Sequence, residues 1–251
     1  MPPQIKLRSK SCLYTKDPDC PVFLSGIGII MDKLKALRAA SSGSAGLRAV
    51  LEPRMLAAAA CCGVAIFLLT VLALHVAQPG HDPRAQFMSE LALGPWGEWM
   101  ILAFAGLGLA AAATGLSIHA RAASRVLPRL PGILLALAAI LFLAAGFVTL
   151  AVSAQAHIVF IAGAFIACGV AMYLLPRVVA VFAGPGGYVF SWGSGLVMCG
   201  AVALGDRLIP PGVSQRIAAC ALLFWLLYVA RKLARRPAQG SGVSGKRSPA
   251  P

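Results

Sequence analysis

The stretch HDPRAQFMSELALGPWGEW, residues 81–99, concentrates side chains that could exchange protons with a substrate. It contains His81, Asp82, Glu90 and Glu98, so it holds three of the eight acidic residues of the chain. Carboxylates and imidazoles serve as general acids and bases in enzymes and as relays in proton-coupled carriers. Which of these functions is open to them depends on the elements that position the stretch.

The composition indicates that those elements lie in a membrane. Hydrophobic residues make up 59% of the 251 residues and charged residues only 12%, with a mean hydropathy of +0.82. A soluble domain has about 25% charged residues, and without them it could not cover its core. The net charge of +14 does not indicate nucleic-acid binding, because the positive residues lie almost entirely in tails and short connectors.

Apolar runs long enough to cross a bilayer as helices predict an all-α polytopic transmembrane bundle. A spanning helix needs about 20 mainly apolar residues, and the runs are continuous, which excludes the alternating strands of a membrane barrel. Six spans are predicted: 55–77, 99–119, 132–153, 157–176, 188–205 and 215–230. The last two are short and could extend into their flanks.

The distribution of Lys and Arg predicts the orientation, because positive residues are retained in the cytoplasm. All but three of the 22 Lys and Arg residues fall on one side of the six spans, and the exceptions are Arg84, Arg207 and Arg216. Both termini are therefore expected in the cytoplasm, and the protein is expected in the inner or plasma membrane as a multi-pass protein. The stretch 81–99 becomes the first extracytoplasmic loop.

Three regions follow from this topology. Residues 1–54 form a basic, partly disordered cytoplasmic segment, 55–230 the six-span membrane domain, and 231–251 a basic disordered cytoplasmic tail. The first run is too long for the apolar region of a cleaved signal peptide. Met31 begins a second plausible start, so residues 1–30 are expected to be dispensable.

Within the loop, helix punctuation predicts a short helix over 83–93. Asp82 is suited to the N-cap and Pro83 to the first helical position, while Gly94 and Pro95 suit a stop. Ala85, Met88, Leu91 and Ala92 share one face of such a helix, and Gln86, Ser89 and Glu90 point elsewhere. The helix is expected to lie on the outer membrane surface, with Trp96 and Trp99 as anchors at the headgroup level.

The same topology predicts a polar cluster on the extracytoplasmic face. The turn SAQAH, residues 153–157, would bring Ser153, Gln155 and His157 to the side of the loop, and His157 would open the fourth span. A titratable group at that depth usually faces a protein interior or water. The candidate catalytic residues on this face are therefore His157, Glu90, Asp82, His81 and Asp206. The alternative is that His157 only caps a helix end.

Neither a cofactor nor a metal is expected. Most cysteines lie inside apolar runs, where a thiol behaves as a small hydrophobic group, and Cys12 and Cys20 match no zinc spacing. Phosphate-binding, serine-hydrolase and zinc-protease motifs are missing from the sequence. No span carries two of the four histidines, which disfavours haem.

Several spans are rich in small residues, and one short motif occurs twice directly before a span. Runs such as GLGLAAAATG and SWGSGLVMCG allow helices to approach closely, and self-association through these faces would use the same chemistry. The motif GPWG at 94–97 returns as GPGG at 184–187, each directly before a span, as an inverted repeat would give. Chance similarity between two common loop types is the preferred interpretation, and the inverted repeat is the alternative.

Two segments carry a resemblance to a known family. The sequences FMSELALGPWGEWMILAFAGLG, 87–108, and SAQAHIVFIAGAF, 153–165, resemble domain-of-unknown-function family 998, a group of bacterial and archaeal multi-span membrane proteins. The resemblance covers roughly residues 55–230. It implies a helical membrane bundle and no established reaction, so it carries no catalytic residue over.

Three functions remain open. The first is a binding or scaffolding membrane protein of unassigned activity whose polar extracytoplasmic face, the first loop plus His157, contacts lipids or a partner. The second is a lipid-modifying enzyme at the outer leaflet, which requires Glu90, Asp82 or His157 within hydrogen-bond reach of one another. The third is a proton-coupled or small-solute carrier, which requires polar residues at mid-membrane depth. Membrane lipids are the expected partners in each case.

Overall fold

A computed structural model describes residues 52–122, 126–205 and 207–235. Six long α-helices make up most of this part of the chain: α1 Pro53–Ala77, α2 Met100–Arg121, α3 Val126–Phe147, α4 Leu150–Val178, α5 Pro185–Leu204 and α6 Pro211–Arg235. Each is long and apolar enough to cross a membrane. The prediction of a six-span helical bundle is confirmed, and the fifth and sixth helices extend into their flanks as the sequence allowed.

Because six helices alternate in direction, the bundle has two ends that can be named by their residues. The loop end carries the connector 78–99 and the shorter connectors 148–149 and 205–210. The basic end carries the start of α1, the connector 179–184 and the end of α6 with Arg231, Lys232 and Arg235. Residues 1–51, 123–125, 206 and 236–251 lie outside the described residues, and with them the predictions for both tails.

The connection between α3 and α4 differs from the prediction. The chain reverses at residues 148–149, so the predicted turn over 153–157 is wrong and His157 lies inside α4 rather than at its opening. The predicted break nevertheless has a physical counterpart. Ser153 has non-helical backbone angles (φ −161°, ψ 103°), and its Oγ accepts a hydrogen bond of 3.3 Å from the Ala156 amide. Ser153 therefore caps the main part of α4 after a kink.

The predicted helix over 83–93 is also wrong in form and in place. Residues 83–85 form a turn, and a 3-10 helix follows over Met88–Leu93 with Phe87 at its N-cap. Leu91 is fully buried, and Met88 and Ser89 are buried too, so the segment packs against the helices at the loop end. The reason is that Leu91 and Met88 remove their apolar surface from water by this packing.

One set of polar side chains inside the core is joined by hydrogen bonds. The Trp225 indole Nε1 donates to the Ser191 hydroxyl at 2.7 Å, and that hydroxyl donates to the carbonyl of Met172 at 2.9 Å. This chain of two hydrogen bonds joins α6, α5 and α4. Because a hydroxyl or indole left unpaired in an apolar interior costs about 1–3 kcal/mol, both bonds hold these helices in one register.

Glycine pairs bring the helices around α2 into close contact. Most of α2 is buried, whereas most of α5 is exposed. A Cβ atom at Gly106 would lie 2.6 Å from the Gly63 carbonyl of α1, and one at Gly132 of α3 would lie 2.7 Å from the Gly115 carbonyl. These small-residue faces are thus used inside the chain, in the way that membrane helices pack.

The two Gly-Pro-X-Gly motifs share one backbone hydrogen bond but differ in conformation, because Trp96 is left-handed (φ 62°, ψ 17°) whereas Pro185 and Gly186 already belong to α5. The Gly97 amide donates to the Gly94 carbonyl at 3.0 Å, and the Gly187 amide donates to the Gly184 carbonyl at 2.9 Å. Each second glycine lies against a carbonyl five residues earlier, at Ala92 and Phe182, where a Cβ would clash. The two turns lie at opposite ends of the bundle. The inverted repeat stays an alternative to chance similarity, and superposition of the two halves would test it.

The glycine contact between α1 and α2 gives a test of the packing. Gly106→Ala should lower the free energy of unfolding by about 1–3 kcal/mol, because the added methyl forces two backbones apart. Gly193→Ala on α5 is the matched control, since a Cβ there meets nothing within 4 Å. Thermal unfolding of both variants in one detergent measures the difference. Equal stability of the two variants would contradict the close approach.

Candidate functional site

His157 is the most deeply buried titratable side chain at the loop end. It is 2% exposed, and its Nδ1 lies 3.0 Å from the carbonyl of Ala145 and 2.8 Å from that of Val148. Both partners can only accept, so Nδ1 carries the hydrogen and donates it. The two carbonyls belong to the C-terminal end of α3, where backbone acceptors have no partner inside the helix. His157 of α4 therefore caps the end of α3.

The other nitrogen of the same ring is left over. Nε2 of His157 is buried and has no hydrogen-bond partner among the described residues. The ring edge is held at right angles to Phe104, with 5.6 Å between the ring centroids. A neutral imidazole that carries its hydrogen on Nδ1 presents Nε2 as an acceptor. A buried polar atom without a partner normally calls for an explanation.

A cavity of about 650 Å³ lies beside His157, between α4, α5, α6 and the 3-10 helix. Its walls are mainly apolar, and its polar residues are Ser89, Glu90, His157, Ser214 and Gln215. Two further wall residues, Ile158 and Val202, are more than half exposed on the outside of the bundle. The cavity therefore reaches the surface that six membrane-spanning helices present to lipid.

Glu90 lies on the wall of this cavity and is committed to the loop backbone. Oε1 of the carboxylate accepts from the backbone N–H of Phe87 at 3.0 Å. Oε2 lies 3.4 Å from the side-chain Nε2 of Gln86. Glu90 is thus the acidic cap of the 3-10 helix, the role that the sequence assigned to Asp82. It also borders a smaller cavity of about 380 Å³ together with His81. In the described residues no hydrogen bond joins Glu90 to His157.

Arg216 of α6 organises a second cluster. Its Nη1 donates to the carbonyls of Gln86 at 3.1 Å and Gly212 at 2.8 Å, and its Nη2 lies 2.8 Å from His75 Nε2 and 3.4 Å from His81 Nε2. A guanidinium only donates, so both histidine nitrogens accept. The Nδ1 of His75 completes this arrangement at 2.7 Å from the Val71 carbonyl. Arg216 therefore fastens the connector and the end of α1 to α6.

The electrostatics of this cluster act on His81. Burial lowers the pKa of His81, the neighbouring His75 and Arg216 lower it further, and Glu90 and Asp82 oppose the shift. The hydrogen bond from Arg216 points the same way, because protonation at His81 Nε2 would remove the acceptor.

The candidate residues thus divide into two groups. His157 and Glu90 line one cavity, whereas His81 belongs to the cluster around Arg216. Asp82 is exposed, and its Oδ1 accepts from the Arg84 amide at 2.8 Å in a local turn. Asp206 lies outside the described residues.

Sequence reasoning missed the residues that hold the loop. The Gln78 amide donates to the carbonyls of Leu91 at 2.9 Å and Pro95 at 2.8 Å, and the Gln215 oxygen accepts from the Met88 amide. Arg216 was considered only as a positive charge on the side of the loop, not as a hydrogen-bond donor. A signal was present, because polar residues directly at the ends of apolar spans are placed where loop backbone needs partners.

Comparison with known proteins adds the family. The family model described as "Protein of unknown function (DUF998)" matches residues 61–232. The chain belongs to this family. No curated protein and no solved structure matches the chain. Together with its six helices, membership makes this DUF998 protein a multi-pass membrane protein, and the family description names no activity.

The lowered pKa of His81 predicts a pH-sensitive loop. Above the ordinary histidine pKa of about 6.5, His81 is neutral in both the closed and the opened loop. As the pH falls below about 6.5, His81 is protonated first in the opened loop, where its pKa is not lowered. The loop should therefore lose stability as the pH falls below about 6.5. Hydrogen exchange of residues 78–90, corrected for intrinsic rates between pH 7.5 and 5.5, measures this.

His81→Gln should flatten the pH dependence of that exchange. His119→Gln is the control, because His119 is exposed in the last turn of α2 at the basic end. An unchanged pH profile in His81→Gln would show that His81 is not the titrating group.

Proposed function

We propose that this DUF998 protein binds an amphiphilic molecule from the membrane in the cavity beside His157. The apolar walls would take the hydrocarbon part, and His157 Nε2 would accept a hydrogen bond from a hydroxyl or amine in the polar part. The observation that carries the proposal is that His157, whose buried Nε2 has no hydrogen-bond partner among the described residues, lines a cavity whose wall continues to the exposed surface of the bundle.

Several features support binding from the membrane rather than from water. The cavity is bounded mainly by side chains such as Ile161 and Phe165, and ligand sites of this size are usually apolar with few polar groups. Gln215 holds the 3-10 helix at Met88, so the connector covers the cavity at the loop end. Entry beside Ile158 and Val202 would need no movement of the connector.

The positive-inside distribution supports an orientation for this site. If both termini lie on the cytoplasmic side of the cell membrane, the loop end and the cavity lie in the outer leaflet. A reporter fused after Arg235 that is active only in the cytosol tests this; activity of a periplasmic or extracellular reporter there would reverse the orientation.

Catalysis and transport remain alternatives with less support. A lipid-modifying enzyme needs a reacting hydroxyl or water close to His157 Nε2, and Ser89 and Ser214 line the cavity without a hydrogen bond to the imidazole. A carrier needs polar groups along a path. In the described helices the buried polar side chains away from the loop end are Thr114, Ser117 and Ser191, and none of these titrates.

Photo-crosslinking tests the binding proposal. A photoactivatable diacylglycerol, which has one free hydroxyl, should label peptides of α4 and α6 in the protein reconstituted into nanodiscs. Its methyl ether should label at least about fivefold less, because a buried hydrogen bond lost without replacement costs about 1–3 kcal/mol. Equal labelling by the alcohol and the ether would contradict the role of His157.

A variant that fills the cavity distinguishes a loss of ligand binding from a loss of folding. Ala162→Phe places a bulky side chain on the cavity wall without touching the His157 bonds, and labelling should fall to background. Ala151→Phe is the matched control, since Ala151 is exposed on the same helix and is not part of the wall. Labelling of Ala162→Phe at the level of Ala151→Phe would contradict the site. Release of a modified lipid would favour the enzyme instead.

A further inference from the structure

A second cavity lies at the basic end, away from His157. It has a volume of about 770 Å³ and lies between α5 and α6. Its apolar wall consists of Phe190, Phe224, Leu227 and Tyr228, and its rim consists of Arg231, Lys232 and Arg235. Neither the proposed function nor the family membership uses this site.

The three cations on the rim have no carboxylate partner in the described part of the chain. Of the four described acidic residues, three lie in the connector 78–99 at the loop end, and Glu52 precedes α1 without lining this cavity. Arg231 and Arg235 are exposed, and like charges on neighbouring turns of a helix repel each other. An anion placed between the three side chains would relieve this repulsion.

Lys232 is held in position for such an anion. Its Nζ donates to the Tyr228 hydroxyl at 3.1 Å and lies 4.9 Å from the ring centroid of Phe182. An ammonium group has three N–H donors, so donors remain for a ligand. Because the side chain is already ordered by these contacts, less conformational entropy is lost when it binds.

The apolar wall extends from the cations toward the middle of α6. Phe224 precedes Arg231 by seven residues, or about 10 Å along a helix, and its side chain is 67% exposed. Phe190 packs against Tyr228 with 4.1 Å between the ring centroids, so the wall is continuous from α5 to α6. A molecule that fits this arrangement has an anionic group at the membrane surface and a hydrocarbon chain below it.

We propose that this cavity binds an anionic phospholipid, with the phosphate between Arg231, Lys232 and Arg235 and an acyl chain along Phe190, Phe224 and Leu227. Cytoplasmic retention accounts for positive charges at this end but does not need an aromatic wall beside them. Inorganic phosphate would leave that wall unused. Basic pockets between membrane helices are known to suit acidic headgroups.

Native mass spectrometry of the full chain in detergent tests the site. Phosphatidylglycerol should bind at least about tenfold more tightly than phosphatidylcholine with the same acyl chains, because each Lys or Arg near the headgroup adds its own attraction to its negative charge. Addition of 1 mM inorganic phosphate should not displace the lipid. Equal affinity for the two lipids, or displacement by phosphate, would overturn the proposal.

Matched variants locate the binding. The triple variant R231Q/K232Q/R235Q should lose the preference for phosphatidylglycerol, whereas R236Q/K246Q/R247Q removes the same charge beyond α6 and should keep it. Phe224→Ala should weaken phosphatidylglycerol binding severalfold, and Phe147→Ala, also an exposed aromatic, should not. Thermal unfolding shows that each variant is folded. Loss of the preference in the control triple variant, or its retention in R231Q/K232Q/R235Q, would contradict a local site.

Discussion

Backbone carbonyls at the ends of membrane helices need hydrogen-bond donors, and this requirement shapes the loop end of the protein. Water is scarce near the hydrocarbon, and each unpaired group costs several kcal/mol there. Three side chains supply the donors: His157 caps α3 at Ala145 and Val148, Gln78 bonds the 3-10 helix, and Arg216 bonds Gln86. The connector 78–99 is thereby fixed to the bundle instead of spreading over the membrane.

Each capping side chain also determines what remains available for a ligand. His157 uses Nδ1 for α3, its Nε2 has no partner among the described residues, and the residue lines an apolar cavity. Arg216 uses its guanidinium on His75, His81 and the connector, so its charge is engaged at the loop end. At the basic end the situation is reversed, because Arg231 and Arg235 bind no described carboxylate. The two ends therefore suit different ligands, a hydrogen-bond donor at one and an anion at the other.

The sequence determined the number and class of the helices because apolar runs leave no alternative in a bilayer, and residues 87–108 and 153–165 indicated the family correctly. The residues at which helices begin and end were harder to predict from the sequence. Ser153 marks a kink rather than a turn, since its hydroxyl can cap a helix within a continuing chain. Asp82 was the predicted cap, whereas the helix lies over Met88–Leu93 with Leu91 buried, so its capping side chain is that of Glu90. The bonds from Arg216 to His75 and Gln86 join positions 141 and 130 residues apart, which no local pattern reveals.

The central claim is that His157 serves the backbone with Nδ1 and leaves Nε2 for a ligand. Nitrogen-15 NMR of the histidine-labelled protein in nanodiscs tests it most directly, with His157 assigned by the resonance missing from His157→Gln. The hydrogen should be on Nδ1, in slow exchange with water. A His157 ring protonated only at Nε2, with Nδ1 bare, would contradict the account, because neither carbonyl of α3 could then be capped by it.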